Sequence, residues 1–260
     1  MKKQILYSIA FLLLVSVQFS FSKKPGREIY RLQVYHFSTA AQEKSLDNYF
    51  ENALLPALHR AGIKNVGVFK SLSNDTVADK LMYVMTPLKT MELLLALPEQ
   101  LQKDQKYVSD AEPFINADAK NPSYSRMETI VLNAFPLAPQ LTLPALKALK
   151  KDRVYELRSY ESATEAKFQN KMKMFNEGGE IDLFKRLNFN AIFFGGVVAG
   201  SKMPNLMYMT SFESKSDREE HWKTFGNDAF WKKLSAMPEY QNNVSHIDIQ
   251  FLHPADYSDF

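Results

Sequence analysis

The chain has 260 residues, 32 Lys and Arg against 29 Asp and Glu for a formal charge of +3, and no cysteine. The absence of cysteine excludes a disulfide framework, a lipid anchor on an N-terminal cysteine, a thiolate-bound zinc and a thiol nucleophile. A near-neutral chain without a basic block gives no electrostatic basis for a nucleic-acid or anionic-membrane partner.

Residues 1–22 read as a cleaved signal peptide. Lys2 and Lys3 precede an apolar run from Ile5 to Val17, and Ser20-Phe21-Ser22 places small residues where a cleavage site after Ser22 needs them. The run is shorter than the roughly 20 residues that span a bilayer. The expectation is therefore an exported protein, periplasmic or secreted, with no stable membrane anchor after cleavage. The remaining 238 residues carry a formal charge of +1 and no later run long enough to span a membrane.

From there the chain repeats itself. Ile29-Tyr30-Arg31-Leu32-Gln33-Val34-Tyr35 recurs as Val154-Tyr155-Glu156-Leu157-Arg158-Ser159-Tyr160, and Leu81-Met82-Tyr83 recurs as Leu206-Met207-Tyr208, both at an offset of 125 residues. Each copy reads β-α-β-β-α-β. Alternation and helical spacing predict strand 28–36, helix 41–61, strands 65–72 and 80–86, helix 88–107 and strand 125–134. The second copy predicts 153–161, 164–187, 190–199, 205–213, 215–235 and 243–252. Gly178-Gly179 marks a break in its first helix, and Gly195-Gly196 a bulge in a strand. Between the copies, Pro136, Pro139 and Pro144 suit a connector.

The domain reading is a first, diverged module at 23–134, a linker at 135–150 and a second module at 151–260. Two tandem ferredoxin-like βαββαβ modules, an α+β class, each leave one sheet face bare. The linker makes their pairing intramolecular, as an eight-stranded α/β barrel with helices outside. Whole barrels can still associate, so a homo-oligomer stays open.

The second copy resembles the NIPSNAP family. The residues that carry the likeness are Tyr155-Glu156-Leu157-Arg158-Ser159-Tyr160, Phe193-Phe194-Gly195, Gly200-Ser201-Lys202-Met203-Pro204, Asn205 to Phe212, Trp222-Lys223-Thr224-Phe225 and Phe230-Trp231-Lys232. In the first copy only Arg31, Gln33, Tyr35 and the Leu-Met-Tyr strand persist. The resemblance implies the dimeric α/β-barrel fold and no settled chemistry. Animal members of the family are associated with mitochondria and vesicle traffic, and related barrels include cofactor-free monooxygenases and haem-processing enzymes.

Strand alternation puts Glu156, Arg158 and Tyr160 on one face, Arg31, Gln33 and Tyr35 on another, and His246, Asp248 and Gln250 on a third. If helices take the apolar faces, these polar ones point into the barrel. Two readings of that lining stand. One is a small-molecule site, with Arg31, Tyr35, Glu156, Arg158 and Tyr160 binding a ligand, and His246 with Asp248 moving a proton in an oxygenase- or isomerase-type reaction. The other is a closed ion-pair network in the filled core of a non-catalytic interaction module. The five histidines show no metal-binding spacing, and there is no nucleophile elbow, dinucleotide fingerprint or P-loop, so neither metal nor cofactor is expected.

Overall fold

In the computed structural model, which describes residues 26–260, the first copy runs β1 (Ile29–Phe37), α1 (Ala40–Tyr49), α2 (Leu55–Arg60), β2 (Gly67–Ser71), β3 (Lys80–Leu88), α3 (Met91–Lys103), α4 (Gln105–Ile115) and β4 (Arg126–Ala134). The second runs β5 (Val154–Glu161), α5 (Glu165–Asn176), α6 (Glu180–Arg186), β6 (Phe193–Ala199), β7 (Asn205–Phe212), α7 (Lys215–Asn227), α8 (Ala229–Ser235) and β8 (His246–Pro254). The expected signal peptide lies outside the described residues. Among those residues no helix is long and apolar enough to cross a membrane.

Three of the helical regions are interrupted, at a proline, a capping aspartate and a glycine. A π-helical turn, Phe50–Leu54, joins α1 to α2 just ahead of Pro56, which lacks an N–H and whose ring crowds the carbonyl one turn back. The expected helix 88–107 is two helices and extends further, to Ile115. Asp104 adopts an extended conformation, and its carboxylate accepts the Tyr107 N–H at 3.1 Å to start α4. The break between α5 and α6 falls where expected, at Gly179, whose φ of +88° a side chain would strain.

The eight strands close in the order β1-β3-β2-β8-β5-β7-β6-β4. Each copy supplies four neighbouring strands in the ferredoxin-like order, and the seams β2–β8 and β4–β6 join the copies, all pairs being antiparallel. At the second seam Gly195 lets β6 approach β4, since a Cβ there would sit 3.0 Å from Cβ of Leu132. The register slips between Val131–Ala199 and Leu132–Val197. That places the bulge at Val198, beyond the expected Gly195-Gly196.

Most of both faces of the sheet is buried. Tyr30, Leu32, Val34, Phe69, Tyr83, Met85, Leu132, Tyr155, Leu157, Phe193, Met207, Met209 and Leu252 fill the lumen. The outer faces pack under helices, around Tyr35, Phe50 and Leu58 in the first copy and Tyr160, Phe175 and Phe184 in the second. One end of the lumen is stoppered by Phe260, whose ring meets Phe69 at 5.3 Å and Tyr155 at 6.3 Å, with Leu141 and Leu146 of the connector alongside. Phe260→Ala removes a ring that is 3% exposed and is expected to lower unfolding free energy by about 3–5 kcal/mol. Urea denaturation reads the change as a lower midpoint at unchanged slope.

Candidate functional site

The face assignment drawn from polarity is corrected by the structure for β1 and β5. Arg31, Gln33 and Tyr35 on β1, and Glu156, Arg158 and Tyr160 on β5, point away from the lumen and under the helices. Tyr30, Leu32 and Val34, with Tyr155 and Leu157, point inward. Both faces of these strands are buried, so apolarity does not distinguish lumen from helix side. For β8 the assignment agrees in part: Asp248 and Gln250 face the lumen and Leu252 continues that face into the core, whereas the apolar Ile247 and Ile249 on the other face are exposed instead of covered by helices.

Glu156 is fully buried. Its carboxylate accepts from Arg158 Nε at 2.7 Å, from Arg218 through Nε and Nη2 at 2.9 Å each, and from Trp222 Nε1 at 2.7 Å. The Arg158 guanidinium lies 3.8 Å from the Trp222 ring centroid and donates to the Tyr160 hydroxyl, which meets the Tyr208 hydroxyl at 2.8 Å. Burial works against ionisation of Glu156, yet the hydrogen bonds of Arg218, the charge of Arg158 and the Trp222 N–H hold its carboxyl below the ordinary value. Close by, Lys171 donates to Glu180 at 2.8 Å, both residues being buried. Burial pushes the Glu180 carboxyl up against the pull of Lys171 and Arg158. Arg218, Trp222, Lys171 and Glu180 were not expected here from sequence. Arg218 and Trp222 meet Glu156 across 62 and 66 residues of chain, whereas Lys171 and Glu180 are nine residues apart on two successive helices.

An open cavity of about 220 Å³ lies at the other end of the lumen from Phe260. Val34, Leu81, Ile130, Leu157, Val197 and Met207 form its walls, and His36, Glu128, Ser159, Lys202, Asn205, Asp248 and Gln250 supply its polar groups. The bulge at Val198 sits beside it. Such bulges at barrel rims redirect a strand and open space, and here the strand leads directly into the lining residues Gly200, Ser201 and Lys202. None of Arg31, Tyr35, Glu156, Arg158 and Tyr160 lines this cavity.

Two charged clusters face each other across the mouth. On the first copy, His36 is 8% exposed, with Nδ1 at 2.9 Å from Asp79 and Nε2 at 3.1 Å from Glu128. Arg126 Nη2 reaches the same ring nitrogen at 3.0 Å. With Nδ1–H donating to Asp79, Nε2 donates to Glu128 when the ring is charged and accepts from Arg126 when it is neutral. On the second copy, Lys202 bonds to Asp248, and His246 Nε2 meets the other Asp248 oxygen at 3.2 Å. Lys202 foremost holds the Asp248 carboxyl below its ordinary value. His246 itself stands exposed on the rim. Tyr83 lies between the clusters. Burial, then the charges of Glu128, Asp248 and Asp79, push its hydroxyl up, so it remains a neutral donor.

Glu161, His246 and Asp248 bring ligand atoms within 4.8 Å of one another and could hold a cation. Glu161 and His246 are direct partners across β5–β8, a juxtaposition that spacing along the chain does not reveal. Lys202 and His246 already pair with Asp248, however, which weakens the case for a cation there. His36 was missed because a lone histidine on a strand carries no motif. Its signal was the run Tyr30, Leu32, Val34, His36 on one face of β1.

Removal of the Glu156 charge tests the helix-side network. Glu156→Gln leaves two largely buried guanidiniums without their counter-ion and is expected to cost about 3–5 kcal/mol near pH 7. A carboxyl whose folded pKa is depressed contributes fully above the ordinary value of 4.5, and that contribution is lost as pH falls through the lower folded value. Urea denaturation across falling pH should therefore show wild type and Glu156→Gln converging below about pH 4.5.

Residues 155–259 match the family model named NIPSNAP, and no curated protein matches the chain significantly. Among solved structures, the chain is similar to a candidate monooxygenase from Fusobacterium nucleatum, 8% identical, covering 88% of this chain and 93% of that one at a TM-score of 0.57. A candidate monooxygenase from Lactobacillus acidophilus is 11% identical, with coverage of 88% and 94% and a TM-score of 0.57. A NIPSNAP family protein from Agrobacterium tumefaciens is 23% identical over 41% of this chain and 96% of its own, at a TM-score of 0.37. The fold is thus a dimeric α/β barrel contained in one chain, and its second copy matches the NIPSNAP family model over residues 155–259.

Proposed function

We propose that the protein binds a small, mostly apolar organic molecule at the open end of the barrel. The observation that carries this reading is the cavity of about 220 Å³, apolar along its walls and charged at its mouth, in a lumen otherwise filled by side chains. A dry cavity of about 150 Å³ accepts benzene, so the ligand is of single-ring size, with a polar head held by Lys202, Tyr83 and His36. The filled-core reading describes the end stoppered by Phe260. The oxygenase reading draws on the names of two fold neighbours at 8% and 11% identity, which bear on fold alone, so the proposal rests on binding.

Ile130→Trp fills the mouth with an indole and tests this directly. A screen of single-ring molecules by thermal shift should find compounds that raise the melting temperature of wild type and leave the variant unmoved. A screen in which no compound separates the two proteins would defeat the proposal.

We further propose that the protein is exported, on the strength of the leader at residues 1–22. Expression in a bacterial host followed by N-terminal sequencing should yield a mature chain beginning at Lys23 in the periplasm or medium. An unprocessed chain retained in the cytoplasm would contradict it.

A further inference from the structure

The internal repeat sets Arg31 against Glu156, Gln33 against Arg158 and Tyr35 against Tyr160, each pair 125 residues apart. All six point under the helices of their own copy. In the second copy the buried charge is an anion, and Arg158, Arg218 and Trp222 compensate it within the fold. In the first copy the charge is a cation, and it has no such company. Arg31 forms no ion pair among the described residues. Its Nη2 lies 3.3 Å from the Thr86 hydroxyl, and its buried Nε has no hydrogen-bond partner in the protein.

A guanidinium does not shed its proton in a protein, and a charge removed from water needs a counter-charge. Arg31 lines a cavity of about 390 Å³ shared with Gln33, Tyr35, Tyr49 and Tyr107. The one acidic residue on that lining, Glu99, is exposed and bonds to Lys103 at 2.6 Å. The Tyr49 and Tyr107 hydroxyls share a hydrogen bond of 2.9 Å, which uses one of their two protons and leaves the other for a ligand. Leu54, Pro98 and Leu101 complete an apolar wall.

From this geometry we infer that the first copy holds an organic carboxylate against Arg31, with its oxygens on the guanidinium and tyrosine hydroxyls and its chain along Leu54, Pro98 and Leu101. The ligand carboxylate takes the part that the Glu156 side chain takes in the second copy, with the sign of the fixed charge reversed. Burial pushes the Tyr35 and Tyr49 hydroxyls up, which keeps both as donors toward an anion. A guanidinium accepts a carboxylate through two parallel bonds, which favours it over a spherical anion. The site lies on the outer side of the sheet, separate from the barrel mouth, and does not depend on the reading proposed for the mouth.

The test compares hexanoate with uncharged hexanamide, by calorimetry and thermal shift, on the full chain. Hexanoate is expected to bind and raise the melting temperature, while hexanamide and inorganic phosphate do little. Arg31→Gln should weaken hexanoate binding by about tenfold or more, and the free variant should melt no lower than wild type because an uncompensated cation has gone. Arg31→Lys should retain part of the binding, and Ile130→Trp, which fills the barrel mouth, should retain all of it. Equal binding of hexanoate and hexanamide overturns the inference, as does a hexanoate response that survives Arg31→Gln or is lost in Ile130→Trp. If Arg31→Gln does not fold, the wild-type comparison and Arg31→Lys decide, and an Arg31→Lys variant that binds hexanoate as tightly as wild type also overturns it.

Discussion

Closure of the barrel is the constraint on which the rest depends. A four-stranded sheet ends in two edges whose backbone N–H and C=O groups are unpaired, and closure removes those edges altogether. Here the edges are satisfied by β2 meeting β8 through Phe69, Lys70 and Ser71, and by β4 meeting β6 across the bulge. Neither copy can bury its lumen-facing side chains without the other. The two copies are therefore bound by hydrogen bonding and by burial at once, and the copy that matches the NIPSNAP model has its partner on the same chain.

Because closure buries both faces of most strands, β4 and β8 being partly exposed, the chain has two separate kinds of interior. The lumen is filled at one end by large rings, among them Tyr30, Phe69, Tyr155 and Phe260. At the other it narrows to smaller or branched residues such as Val34, Ser159 and Val197, leaving room. The helix side has a different character in each copy. Glu156 sits in a saturated set of hydrogen bonds, which makes that region of the second copy a closed structural element. The first copy repeats the backbone but not the compensation, and its polar cluster around Arg31 opens onto a cavity. Duplication preserved the geometry while freeing the charges to differ.

Much of the fold was legible in the sequence, and the reason is physical. An offset of 125 residues carried by two strand motifs fixes which elements correspond, and a βαββαβ plan with one bare sheet face calls for a partner. The interior of the site was less legible. Alternation correctly separates Glu156, Arg158 and Tyr160 from Tyr155, Leu157 and Ser159, but it cannot say which set enters the lumen when both sides are dry. A charged face can lie under a helix if that helix brings its own donors. Arg218 and Trp222 do so from α7, 62 and 66 residues from Glu156. The interruptions at Pro56 and Asp104 left signals in residue type that helical periodicity alone passes over.

For the ligand proposed at the mouth, the shape of the lumen leaves one approach. Phe260 and the connector residues Leu141 and Leu146 occupy the opposite end, so entry runs between the His36 and Lys202 clusters. An entering molecule meets charges of both signs: Asp79, Glu128 and Asp248 are compensated by Arg126, Lys202 and, when protonated, His36. Such a paired rim exerts little net attraction on an ion from a distance, and selection falls to the walls. Val34, Leu81, Ile130, Leu157, Val197 and Met207 reward apolar surface, and the hydrogen-bonding groups act once the molecule is seated. On the readings proposed, the mouth would discriminate by size and apolar contact first, whereas the Arg31 cavity, with a single uncompensated sign, would discriminate by charge.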